Sequence, residues 1–116
     1  MNDRTKKYLA DILIAIELID EFCSDVPDFD SYAADRKTTS AVERQLAIIG
    51  EAVNKVKHHS PELLLQNAKK IIDFRNRIVH AYDSIDDSIV WAIIQTHLPQ
   101  LKIEVSELLE NRNPFG

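Results

Sequence analysis

At 116 residues the chain has the length of one domain, long enough to bury a core without disulfide or metal staples. A formal charge of −5 excludes a protein that grips nucleic acid through bulk positive charge, so action on a polyanion requires a local site. Apolar content of 45%, only two glycines and long runs of Ala, Leu, Ile, Glu and Lys point to an all-helical fold.

The first helix is predicted over residues 5–22, where Leu9, Ile12, Ile16 and Ile19 recur at helical spacing. Residues 24–35 break that pattern with Pro27, aspartates and serines, and read as a connecting loop. A second helix is predicted from near Thr38, capped by Thr39 or Ser40, with Glu43 completing a capping box. Val42, Leu46, Ile49, Val53 and Val56 follow at alternating steps of four and three, a bundle-packing stripe. On its other side Ala47 and Ile48 flank Glu51. They form either a second contact face for self-association or an ordinary solvated face.

Ser60-Pro61-Glu62 carries the signature of a helix start, and a short turn over 63–65 precedes a helix restarting at Asn67. Residues 83–88 end that helix and offer a new cap, with acidic groups at the positive end of the next dipole. The last helix is predicted over 87–110, burying Val90, Trp91, Ile94, Leu98, Leu101, Val105 and Leu108, with a kink or break at Pro99. The tail 111–116 is predicted to be loose. The expected architecture is a single domain over 1–116, an all-α up-and-down bundle of four main helices plus a short extra one. A lone Cys23 fits a reducing cytoplasm. No apolar run reaches membrane-spanning length, and the first residues lack a cleavage signature.

The most informative stretch is Ile71-Ile72-Asp73-Phe74-Arg75-Asn76-Arg77-Ile78-Val79-His80-Ala81-Tyr82. At about 100° per residue, Arg75 falls inside the arc of Ile71, Ile72, Phe74, Ile78, Val79 and Ala81, with Tyr82 two turns above it. His80 and Asn76 lie outside the arc, one turn apart. A guanidinium so placed must be paired, or must line a cleft that an anion enters. RNA carries its own nucleophile in the 2′-hydroxyl, so its cleavage needs proton transfer, suited to His80, and charge stabilisation, suited to Arg75. About 140° of rotation separates the two positions on one helix. Either arginine's reach closes that gap, or two copies of the helix pool their residues in a dimer. Asn76 is placed to orient the imidazole or to bind phosphate. On spacing alone, a structural ion pair is the simpler account of Arg75.

Arg75-Asn76-Arg77-Ile78-Val79-His80-Ala81-Tyr82 resembles the R-x4-H-x-Y signature of the HepT family, a branch of the HEPN superfamily of small helical ribonucleases. The resemblance extends to Leu46-Ala47-Ile48-Ile49-Gly50-Glu51-Ala52 and to Val90-Trp91, and so spans nearly the whole chain. It implies a homodimeric, metal-independent endoribonuclease toxin without a cofactor. Arg75 and His80 would be the catalytic pair and Asn76 a supporting residue. It also implies a small nucleotidyltransferase partner, MNT, that transfers AMP from ATP onto Tyr82 and blocks the RNA site. The alternative is a non-catalytic helical module that binds such a nucleotidyltransferase. Glu51 matches a recurrent acidic position and is left outside the catalytic set.

Other polar candidates have plainer readings. His58 and His59 diverge on a helix and read as surface residues near its end, His97 as structural, and Trp91 as a core anchor. Tyr8 and Tyr32 have no supporting context. Asp83, Asp86 and Asp87 are explained by capping rather than by metal.

Overall fold

The computed structural model describes residues 1–63, 65–81 and 85–110, without the side chains of 78–81. Within these residues every regular element is helical and there is no strand. The elements are α1 (Asp3–Phe22), α2 (Phe29–Ala34), α3 (Arg36–His59), α4 (Lys69–Ala81) and α5 (Asp87–Ala92), followed by a π turn (Ile93–His97) and α6 (Leu98–Glu110). Four long helical units, counting α5 to α6 as one, plus the short α2 make up the expected bundle.

The apolar stripes read from the sequence meet in its centre. Leu9, Ile12, Ile16 and Ile19 of α1 pack with Val42, Leu46, Ile49, Val53 and Val56 of α3 and with Leu98, Leu101 and Val105 of α6 in one buried cluster. Neighbouring long helices run antiparallel. Thr5 at the start of α1 meets Ser60 just past α3 through a buried 2.6 Å hydroxyl pair, and Asp20 near the end of α1 meets Lys102 early in α6 at 3.3 Å. Each stripe is continuous over several turns, so its burial supplies the main driving force for closing the bundle.

Several local expectations change. The segment read as a loop over 24–35 contains α2, capped by Asp28 accepting from the Ser31 amide and anchored by Tyr32, which is fully buried. The helix expected from Thr38 starts at Arg36, and its cap is Asp35, not Thr39 or Ser40. The Asp35 carboxylate accepts from the Thr38 amide at 3.1 Å and hydroxyl at 2.7 Å, while Thr39 instead donates to the Arg36 carbonyl. Ser60-Pro61 does not open a helix. Ser60 closes α3, its amide bonding to the Val56 carbonyl, and its hydroxyl is committed to Thr5.

The segment after α3 is tied down by a distant carboxylate: Glu104 of α6 accepts from the amides of Gln66 and Asn67, at 2.8 and 3.0 Å, and from the Asn67 side chain at 2.9 Å. Regular helix then resumes at Lys69 rather than Asn67. The turn expected over 63–65 includes Leu64, which lies outside the described residues, as does the tail 111–116.

Asp86 caps α5, accepting from the Ser88 hydroxyl at 2.6 Å and amide at 2.8 Å, bonds that hold its carboxyl below the usual range. Asp83 and Ser84 lie outside the described residues. The interruption expected at Pro99 takes the form of a π turn, Ile93–His97, which separates α5 from α6 while the chain stays helical. A proline ring clashes with the carbonyl four residues back and has no N–H to offer it. The preceding turn widens instead, and the Leu98 amide reaches five residues back to Ile93.

Tyr32 packs its ring 5.3 Å from Trp91, and its buried hydroxyl has no hydrogen-bond partner among the described residues. Burial, helped by the charges of Glu43, Asp87 and Cys23, pushes its phenol far above the ordinary tyrosine range. A buried unpaired hydroxyl opposes folding, so Tyr32→Phe is expected to leave the melting temperature unchanged or raised. Tyr32→Ala is expected to cost about 3–5 kcal/mol. A drop of more than about 1 kcal/mol for the phenylalanine variant in thermal denaturation would reveal a hydroxyl partner that stabilises the fold.

Candidate active site

Helix α4 is held by Ile71 and Phe74, which are buried against the core, while Asp73, Asn76 and Arg77 face solvent. Arg75 lies between these two sides, at the edge of the buried face rather than in its middle, and turned toward α3. The residue facing it there is Gly50. A Cβ at that position would stand 2.5 Å from the Arg75 Cβ and 2.9 Å from its Cγ, so only glycine allows this crossing of α3 and α4.

The guanidinium continues along α3 to Glu51. Its Nη2 donates to Glu51 Oε2 at 2.6 Å, and its Nη1 donates to Asn76 Oδ1 at 3.2 Å. The requirement stated for Arg75, a partner or a cleft, is met in both ways at once. Its side chain is 26% exposed and that of Glu51 is 49% exposed, so the pair sits at a surface rather than inside the core. Both residues line an open groove of about 400 Å³, together with Tyr8, Arg44, Ile48 and Lys55. A partly exposed ion pair is worth only about 0–1 kcal/mol, so it positions the arginine more than it stabilises the fold.

The other candidate residues are placed as follows. Asn76 is exposed and its carbonyl oxygen accepts from Arg75, which makes it a support for the guanidinium. His80 belongs to α4, so the angular offset of about 140° from Arg75 along one continuous helix holds for the backbone. Its side chain, and Tyr82 entirely, lie outside the described residues. His97 lines a separate groove of about 370 Å³ with Phe74 and Arg77. A further cavity of about 470 Å³ is framed by Val53, Val56, Leu63 and Ile72 and does not include Arg75. Among the described residues no three His, Cys, Asp or Glu side chains are grouped so as to hold a metal ion. No helix among them is long and apolar enough to cross a membrane.

Two residues that build the site are absent from the sequence-derived set. Glu51 is the direct partner of Arg75, and Gly50 makes the approach possible. Gly50 was signalled all the same: a glycine in mid-helix costs about 1 kcal/mol relative to alanine, and such a cost calls for a compensating close contact.

The chain is similar to known proteins over most of its length. A family model described as Ribonuclease HepT-like matches residues 12–108. The chain is 36% identical over 107 residues to "Probable ribonuclease HepT" of Thermococcus cleftensis, covering 89% of this chain and 94% of that protein. It is 31% identical over 111 residues to a "Putative RNase" of Methanocaldococcus jannaschii, covering 91% of this chain and 88% of the relative. A "Putative RNase" of Caldanaerobacter subterraneus is 31% identical over 106 residues, covering 90% of this chain and 94% of the relative. No solved structure matches the chain significantly.

Proposed function

The chain belongs to the HepT-like ribonuclease family, and on that premise we propose that it is a metal-independent endoribonuclease toxin neutralised by a nucleotidyltransferase antitoxin. The observation that carries this reading is the placement of Arg75, held by Glu51 and Asn76 at the mouth of an open groove, on the same helix as His80. In the proposed reaction His80 takes the proton of the RNA 2′-hydroxyl. The 2′-oxygen bonds to phosphorus, and the bond from phosphorus to the 5′-oxygen breaks. Arg75 stabilises the charge that accumulates on the phosphorane oxygens. A second imidazole returns a proton to the leaving 5′-oxygen, and the products are a 2′,3′-cyclic phosphate and a 5′-hydroxyl.

The second imidazole comes, in this proposal, from a second copy of the chain. The angular offset between Arg75 and His80 favours a cleft shared by two α4 helices. Ile48, 38% exposed on the same face of α3 that lines the groove, supplies apolar surface for the pairing. Tyr82, seven residues beyond Arg75 and so on nearly the same side of an ideal helix, is the proposed AMP acceptor. The partner would join its Oη to the α-phosphorus of ATP and release pyrophosphate. The added anion would then compete with RNA for Arg75.

A second reading has its own support. The 2.6 Å ion pair with Glu51 is what a non-catalytic module would use to fix α3 against α4. One experiment separates the two: purified protein, made with and without a co-expressed nucleotidyltransferase, is assayed for RNA cleavage in the presence of chelator and weighed intact. The toxin reading expects chelator-resistant cleavage by protein made alone. It also expects a gain of one or more AMP units on Tyr82, with loss of activity, for protein made with the partner. Partner binding without either cleavage or modification would favour the interaction module.

A further inference from the structure

We propose that the Tyr8–His59 ring pair is a nucleobase-stacking subsite for single-stranded RNA, linked to Arg75 by a phosphate track along α3. It rests on the ribonuclease reading above and extends it to how substrate is held. The antiparallel pairing of α1 with α3 brings Tyr8 beside the last turn of α3. There the Tyr8 and His59 rings lie 5.8 Å apart and 22° from parallel, and His58 meets His59 edge-on at 5.1 Å. The ammonium groups of Lys7 and Lys55 stand 5.7 and 5.6 Å from the Tyr8 ring centre.

Three properties distinguish this cluster from an incidental surface patch. Its charge opposes that of the chain as a whole: against a net −5, Arg44, Lys55 and Arg75 outnumber the two acidic side chains, Asp11 and Glu51, in one groove. Partial burial and the positive charges of Arg4, His58 and Lys55 hold His59 below the ordinary histidine pKa, so its ring is neutral and suited to stacking at neutral pH. The groove is also continuous, with Tyr8 and Lys55 lining the same space as Arg75. Lys55 stands four residues beyond Glu51 on α3, a rise of about 6 Å from the point where Arg75 is held. That spacing lets successive phosphates of an extended strand meet Arg75 and then Lys55, while a base reaches the aromatic pair. Unpaired RNA bases are held in this way, by rings for the bases and cations for the backbone.

The test measures binding of a fluorescent 2′-O-methyl oligoribonucleotide, which cannot be cleaved through its 2′ positions, by anisotropy at several salt concentrations. Tyr8→Ala is expected to weaken binding about tenfold, and Tyr8→Phe to retain wild-type affinity because the ring is what acts. Lys55→Ala should weaken binding and reduce the logarithmic salt slope by about 0.7. Lys55 is exposed, so its variants report on the subsite even if Tyr8→Ala perturbs folding. Wild-type protein that cleaves RNA, but whose binding is unmoved by both Tyr8→Ala and Lys55→Ala, overturns the subsite and leaves the ribonuclease reading standing. Binding that depends on both residues without any cleavage supports the subsite and counts against the ribonuclease reading alone. No binding by wild type overturns the subsite. So does a Tyr8→Ala variant that loses only its nucleotidyltransferase partner, because the surface then belongs to a protein.

Discussion

His80→Ala and Arg75→Ala are each expected to lower RNA cleavage by roughly 10²–10⁴-fold while leaving the fold intact. The magnitude follows from the chemistry: with the nucleophile built into RNA, proton transfer and charge stabilisation are nearly all the protein has to provide. If the two groups act on one transition state, the double variant should be little worse than either single one. Arg75→Lys is not expected to restore the rate, because a point charge cannot reproduce the planar fork that bonds both Glu51 and Asn76. Loss of a half-exposed ion pair costs about 0–1 kcal/mol, so thermal stability should barely move.

Glu51→Gln supplies the opposite sign. Glu51 holds the guanidinium that the proposed mechanism assigns to substrate phosphate, so weakening its hold should tighten RNA binding rather than loosen it. Wild-type rates in both alanine variants, measured with chelator present, would remove this pair from the mechanism. A large loss of stability in Arg75→Ala would instead assign the arginine to the architecture of the bundle.

Gly50→Ala is expected to destabilise the protein by about 1–2 kcal/mol even though it places a better helix former in mid-helix. Two effects of comparable size oppose each other. Alanine in place of glycine gains about 1 kcal/mol of helix propensity, whereas overpacking costs about 1–3 kcal/mol, toward the upper end for so short a contact. Overlap wins here because the contact is made at 2.5 Å with a Cβ, which is fixed to the α4 backbone and cannot swing aside. Relief requires α4 to move as a unit, and Ile71 and Phe74 hold it in the core. For a chain of this length the loss corresponds to a melting temperature lower by roughly 4–8 °C. Activity should fall further than stability, since the displaced residue is Arg75. Arg75→Ala should not rescue the variant, because it removes only the 2.9 Å contact with Cγ and keeps the one with Cβ. An unchanged or higher melting temperature for Gly50→Ala would show that the two helices have room to spare.

The sequence alone showed the long helices and their inward faces, though not α2. Leu9, Ile12, Ile16 and Ile19, and likewise Val42 through Val56, are buried as their spacing required, because helical periodicity is a local property read within a few turns. It also pointed to Arg75 as a residue needing an explanation. Local signals were weaker where several residues could serve the same role. Thr39, Ser40 and Asp35 all suit a helix start, and the cap falls on Asp35, the residue that also closes α2. Ser60-Pro61 has the chemistry of a helix start, but the Ser60 hydroxyl is drawn instead to Thr5, 55 positions away.

Only the tertiary structure decided what surrounds Arg75. Its partner Glu51 is 24 positions distant, and Tyr8, which has no supporting context in the sequence, shares its groove with Lys55 because α1, α3 and α4 pack side by side. The physical reason is one of range. Apolar spacing records which face of each helix turns inward, whereas a guanidinium is paired by whatever side chain the neighbouring helix brings within 3 Å, and that depends on how closely the backbones cross. In this chain the closeness was set by a single missing Cβ, at Gly50.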